Sequence, residues 1–174
     1  IRLPAFYIIY EMVAGILFCL LMLRYSDSVY PLIFNSLLYI ILFLMAAVDQ
    51  QYLIIPDSLQ ACFGILLFFF HWENQTLLHP PYLIGALMML VFSLVAMKCS
   101  EDGLGGGDVK LMFLIGYALG FHAATLVLFI AASVALLYFM LQVKRKQLSL
   151  TTPIPFGPFL VLAFFTVREY IMVQ

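Results

Sequence analysis

The sequence predicts an all-α integral membrane protein, a single domain over residues 1–174 folded as a polytopic bundle of about seven transmembrane helices. Three observations carry that expectation. Of the 174 residues, 66% are hydrophobic and only 10% are charged, where a soluble domain would carry about 25% charged residues. Mean hydropathy is +1.11. The apolar residues also fall in runs near the ~20 that a helix needs to cross a bilayer, too long and too uniform for the alternating strands of an outer-membrane barrel.

Tyr7 to Leu23 is the first run, bounded by Arg2 and Pro4 before it and by Arg24-Tyr25-Ser26-Asp27 after it. Pro31 to Val48 is the second and ends on Asp49. Leu59 to Trp72 is short for a span and reaches spanning length if it starts at Ile54 or Pro56. Pro80-Pro81 punctuates a turn, and Tyr82 to Met97 follows as the fourth. The fifth, Asp108 to about Gly120, is short, as in a helix that stops part-way or lies deep against its neighbours. Phe121-His122 separates it from the sixth, Ala123 to Val143, which Lys144-Arg145-Lys146 closes. Phe156 to about Tyr170 makes the last.

Cytoplasmic connections are richer in Lys and Arg. With the runs crossing alternately, Arg2, Lys98, Lys110, Lys144, Arg145 and Lys146 fall on one side, and Arg24 and Arg168 on the other. The first side is therefore assigned to the cytoplasm. It also holds the connections with Asp49, Asp57 and Asp108, while Trp72 and Tyr82 fall in the opposite interfacial belt.

Several functions are excluded by composition. The net charge is -1 and no basic run could track a phosphate backbone, so no nucleic-acid partner is expected. Cys19, Cys62 and Cys99 are scattered without a Cys-x-x-Cys pair and read as small buried hydrophobes, not as a zinc or disulfide framework. His71, His79 and His122 fall on the non-cytoplasmic side and read as interfacial residues, with no metal site expected.

The stretch that carries chemistry is Gly103-Leu104-Gly105-Gly106-Gly107-Asp108-Val109-Lys110. An ionisable residue where a membrane segment begins is costly to keep and marks a candidate functional site. Asp49 and Asp57 supply a second carboxylate on the same face. Two carboxyl groups a few ångströms apart do not both ionise cheaply, so one can act as acid and the other as base on a shared water, the chemistry of an aspartic protease. Gly105, Gly106 and Gly107 would let the backbone take unusual angles and admit a substrate strand. The competing reading is a flexible loop before an ordinary helix N-terminus, where the dipole favours Asp. Asp57 after Pro56 has its own structural reading as an N-cap. Lys110 lies two residues beyond Asp108, off its helical face, and reads as a snorkelling interfacial lysine.

Gly105 to Asp108 resembles the GxGD signature, and Val48-Asp49-Gln50-Gln51-Tyr52-Leu53-Ile54-Ile55-Pro56-Asp57 resembles the first-aspartate segment of the prepilin peptidases, the type IV leader peptidases. Pro155-Phe156-Gly157-Pro158 resembles that family's segment at the start of its last helix, and Glu11 resembles a glutamate of an early membrane helix. The resemblance covers essentially the full length. It implies a multi-pass aspartic endopeptidase of the bacterial cytoplasmic membrane that removes the short basic leader from type IV prepilins or pseudopilins at the cytoplasmic face. Asp49 and Asp108 would be the catalytic pair, with no cofactor for peptide hydrolysis. Gly105, Gly106, Gly107, Asp57 and Lys110 would shape the site or contact substrate, and Asp57, Glu101 and Asp102 would add negative charge where a basic leader arrives. The family commonly carries a cytoplasmic loop with paired Cys-x-x-Cys motifs just before the segment resembling Arg2 to Gly15. This chain starts at about that point, as expected of a fragment or of a short cysteine-free branch. An S-adenosylmethionine-dependent methylation of the new pilin N-terminus, found in many members, would depend on that region. Preflagellin or presenilin-like GxGD proteases are the near alternatives. An ion-coupled transporter is the alternative from another class, although no paired half-sequences support it.

Overall fold

The computed structural model describes residues 29–99, 104–144 and 154–173. Among them every regular element is an α-helix: α1 (Val29–Tyr52), α2 (Asp57–Glu73), α3 (Pro80–Cys99), α4 (Gly106–Lys144) and α5 (Gly157–Val173). Helices α1, α3 and α4 are long and apolar enough to cross a membrane. The helix count is lower than the sequence led us to expect. The first run, Tyr7 to Leu23, lies outside the described residues, as do Glu11, Cys19, Glu101 and Asp102. The fifth and sixth runs are the two arms of α4, two helices that meet at Gly120 (φ 77°, ψ 177°), where the sequence places the end of the fifth run. Such a backbone is open to glycine because it carries no Cβ.

The break at Gly120 divides α4 into two arms. A straight helix would carry Tyr138 about 45 Å from Asp108. Instead Tyr138 meets Phe159, with ring centroids 5.6 Å apart, close to Gly157, which hydrogen-bonds Asp49. The second arm therefore turns back beside the first.

Contacts along the helices fix their directions. Gln60 sits beside Gly107 and His71 beside Tyr117, so α2 and the first arm of α4 run parallel. Gly85 lies against Gly116 and Gly120, so α3 runs antiparallel to them. Phe164 of α5 meets Phe63 of α2 edge-on at 6.3 Å. The end of α1, the start of α2, the end of α3, the start of α4 and the start of α5 consequently gather at one end of the bundle.

Helix α4 is the hub, packing most extensively against α3, then α5, then α2. The α3–α4 crossing is backbone against backbone: a Cβ on Gly85 would lie 2.6 Å from the Gly116 carbonyl oxygen, and one on Gly116 would collide with Gly85 in return. Lipid tails are as apolar as leucine, so helices in a bilayer associate through close approach of small residues, here Gly116 and Gly120 at i and i+4. Phe63, Met89, Leu111, Met112, Ile115 and Phe164 fill the interior, whereas Phe69, Ile84, Phe129 and Leu136 point outward, as lipid-facing residues do.

Three expectations about ends and burial change. Helix α1 continues past Val48 to Tyr52, which puts Asp49 in its last turn instead of in a connection. Pro80 and Pro81 open α3 instead of forming a turn, because the first helical turn has no use for the N–H that proline lacks. Cys62 and Cys99 are exposed; beside hydrocarbon, an outward position suits a small apolar thiol as well as a buried one.

Contacts cluster into two units, 1–43 and 44–174. The helix packing above and the site below belong to the second. In the first, the amide of Asn35 is satisfied within its own helix, donating to the Pro31 carbonyl at 2.7 Å.

Candidate active site

Asp49 is only 3% exposed. Beyond it α1 stops at Leu53, whose φ of 57° is the left-handed conformation of a helix C-cap; its N–H donates to the Asp49 carbonyl at 2.8 Å. The side chain of Asp49 points to the start of α5, where the Gly157 N–H donates to Oδ2 at 2.9 Å. The first N–H groups of a helix have no partner inside it and bind anions readily. A Cβ on Gly157 would stand 2.7 Å from that same oxygen, so only glycine brings the backbone this close. The Pro155-Phe156-Gly157-Pro158 segment, which stands out in the sequence only by resemblance, thus holds Asp49 in place.

Asp108 lies in the first turn of α4. The Gly105 backbone hydrogen-bonds its carboxylate, and Asp49 is near enough for its charge to act on Asp108. The Oδ1 atom of Asp108 is buried without a partner among the described residues. Buried acceptors in native proteins are nearly always satisfied, and an exception calls for a reason. The local folding differs from the loop foreseen around the glycines. Gly106 and Gly107 are already helical, and none of Gly105, Gly106 or Gly107 has a positive φ. What Gly107 supplies is space: a Cβ there would meet the Ile55 Cβ at 3.1 Å. One on Gly105 would lie 3.4 Å from Asp108 Oδ2, and Gly106 faces open space.

Asp57 and Lys110 form an ion pair of 2.7 Å, with side chains 75% and 57% exposed. Asp57 is not the N-cap of α2; Pro56 holds that position, without a side-chain capping bond. Lys110 reaches across to α2 and does not simply snorkel outward. Of the two candidates for first aspartate, Asp49 is the buried one beside Asp108. Between α2, α3 and α4, next to this pair, opens a groove of about 490 Å³ lined by Gln60, Leu90, Val109, Lys110 and Phe113 among others.

Two polar residues carry more than their sequence context suggests. Gln60, 4% exposed, donates from Nε2 to the Gly107 carbonyl at 2.8 Å; its sequence signal is a lone amide four residues after Pro56, at the edge of an apolar run. His71 is fully buried, contrary to the interfacial reading, while His79 and His122 are exposed. Its Nε2–H donates to the Tyr117 carbonyl at 3.2 Å and its Nδ1 accepts from Thr76 Oγ1 at 2.8 Å. Tyr82 and Tyr117 flank the ring, with centroids at 4.6 and 4.4 Å. Among the described residues no cluster of His, Cys, Asp and Glu could hold a metal ion.

Fold and site together define a helical membrane protein that converges two aspartates from separate helices at one end of its bundle. The profile of the type IV leader peptidase family matches residues 36–140, more than half of the chain, and the chain belongs to that family. It is similar to proteins named prepilin leader peptidase/N-methyltransferase. That of Bacillus subtilis (strain 168) is 29% identical over 155 residues, covering 85% of this chain and 59% of the relative. That of Pseudomonas putida is 25% identical over 171 residues, covering 93% and 58%. That of Burkholderia pseudomallei (strain K96243) is 30% identical over 128 residues, covering 67% and 39%. The chain thus spans less than two thirds of the length of these relatives. No solved structure matches it.

Proposed function

We propose that this chain is a membrane aspartic endopeptidase that removes the basic leader from type IV prepilins or pseudopilins at the cytoplasmic face of the bacterial inner membrane. The observation that carries this reading is the meeting of Asp49, held by the Gly157 N–H, with Asp108, whose Oδ1 is buried and unpartnered. Membership of the leader peptidase family supports the choice of substrate. The gathering of Lys98, Lys110 and Lys144 at the aspartate end supports the orientation.

In the proposed mechanism one carboxyl of the pair is protonated and the other ionised. The ionised member takes a proton from a water whose oxygen attacks the scissile carbonyl carbon, and the protonated member hydrogen-bonds the developing oxyanion. Collapse of the tetrahedral intermediate breaks the C–N bond, and the pair returns a proton to the leaving amine. The relatives' names also include a methyltransferase. A sulfonium donor wants a free carboxylate or aromatic cage, but the one carboxylate lining the groove, Asp57, is already paired with Lys110. Our proposal therefore covers the hydrolytic reaction alone.

Cleavage of a prepilin with a Lys-rich leader, in membranes or detergent, tests the proposal. Asp49→Asn and Asp108→Asn are each expected to lower the rate by at least about 10³-fold, with Asp57→Asn retaining most of it. A folded parent that cuts no leader, even with the N-terminal region of its relatives restored, would refute the peptidase reading. Loss of activity in Asp57→Asn with Asp49→Asn active would move the first role to Asp57.

A further inference from the structure

We infer that Gln60 is a positioning residue for Asp108, acting through the Gly107 backbone; the inference rests on the peptidase reading above and adds a residue to it. Gln60 projects from the second turn of α2 and donates from Nε2 to the carbonyl of Gly107, the residue immediately before Asp108, at 2.8 Å. This is a contact between elements 47 residues apart in the chain. Ile55 packs close to the same residue, since a Gly107 Cβ would sit 3.1 Å from the Ile55 Cβ and 3.5 Å from Gln60 Nε2. Ile55 is buried and belongs to the short segment that leads from the Asp49 helix into α2. One clamp, formed by Ile55 and Gln60, thus ties the Asp108 turn to the segment that follows Asp49.

The other end of the amide makes the case for function. Among the described residues Gln60 Oε1 is buried and has no hydrogen-bond partner, and an unsatisfied buried acceptor opposes folding by more than one ordinary hydrogen bond contributes. A methionine would fill the same space without that penalty. For stability alone the glutamine is a poor choice, so its use lies in where the donor end holds Gly107. A shift of the Gly107 peptide moves the Cα of Asp108 directly, and displacements near 1 Å in a catalytic group lower rates by about a hundredfold.

The test is Gln60→Met beside Gln60→Asn, Gln60→Glu and the parent, read by leader cleavage and, independently of cleavage, by the ¹³C titration of the Asp108 carboxyl. The expected result is a kcat at least about tenfold lower in Gln60→Met with KM within about twofold, a thermal midpoint equal to or above that of the parent, and a displaced Asp108 titration. Gln60→Glu, which sets an acceptor against the Gly107 carbonyl, is expected to lower kcat further. A cleaving parent with kcat unaltered in Gln60→Met and an unmoved Asp108 titration overturns the inference. A raised KM at constant kcat also overturns it, because Gln60 would then contact substrate. A parent that does not cleave even with the N-terminal region of its relatives added, with the Asp108 titration still displaced in Gln60→Met, refutes the peptidase reading and leaves the positioning role standing.

Discussion

The two ends of the bundle use buried polar groups in opposite ways. Around His71 the polar groups are partnered: both ring nitrogens are bonded, and Tyr117 Oη donates to the Leu77 carbonyl at 3.1 Å. At the aspartate end Asp108 Oδ1 and Gln60 Oε1 are buried without partners among the described residues. A complete network rigidifies a structure, whereas an incomplete one in the same low dielectric is expensive to keep. The first arrangement therefore reads as a staple joining α2, α3 and α4. The second reads as a site that leaves Asp108 Oδ1 open to the reacting water and spends the Gln60 amide on holding the Gly107 peptide.

If that contrast is right, substitutions at the two ends should separate activity from stability. The larger effect is expected at the aspartate end, in Gly157→Ala. Its methyl group has nowhere to go beside Asp49 Oδ2, so α5 or the carboxylate must shift by several tenths of an ångström. We expect kcat of the folded fraction for leader cleavage to fall by about a hundredfold, beyond what the overpacked contact, about 1–3 kcal/mol of stability, takes from the folded population. A kcat within about threefold of the parent would show that the Gly157 bond does not hold Asp49 for catalysis. At the other end, His71→Phe keeps the ring and deletes both hydrogen bonds. The expected loss is about 2 kcal/mol of stability, measured by denaturant titration in detergent, while the folded fraction cleaves normally. A His71→Phe protein with native stability and impaired cleavage would reverse the assignment of the two ends.

Much of the aspartate end was legible in the sequence because its residues are polar exceptions in an apolar chain. Asp49, Asp57 and Asp108 stand out at the margins of hydrophobic runs, and the alternation of those runs brings them to one face. What could not be read is how the helices touch. Gly157 shows no chemistry of its own, and its role appears only when the start of α5 arrives within hydrogen-bonding distance of Asp49. The Gly116–Gly120 spacing is visible as a small-residue pair, but its counterpart Gly85 lies on another helix, beyond any local pattern. His71 was misread because a histidine near the end of an apolar run has the same sequence context whether it faces the interface or a neighbouring helix. The break inside α4 was legible for the opposite reason: the apolar pattern pauses at Gly120-Phe121-His122, and the backbone turns at Gly120.

The smallest expected effect concerns the Asp57–Lys110 pair, which sits at the aspartate end and yet belongs to neither type of network. It is short, but its two side chains are largely exposed. In water such a pair gains little, because solvent screens the attraction and ordering two flexible chains opposes it. A double-mutant cycle with Asp57→Asn and Lys110→Met should therefore give a coupling below about 1 kcal/mol, shrinking further between 0.1 and 1 M salt as the Debye length falls from about 10 to 3 Å. That outcome places the pair in the aqueous interface, outside the buried machinery of Asp49 and Asp108. A larger, salt-insensitive coupling would mean that the start of α2 and α4 lies within the low-dielectric layer. Lys110 and Asp57 would then be a staple in their own right, and the contrast between a satisfied end and an unsatisfied one would have to be drawn within the aspartate end itself.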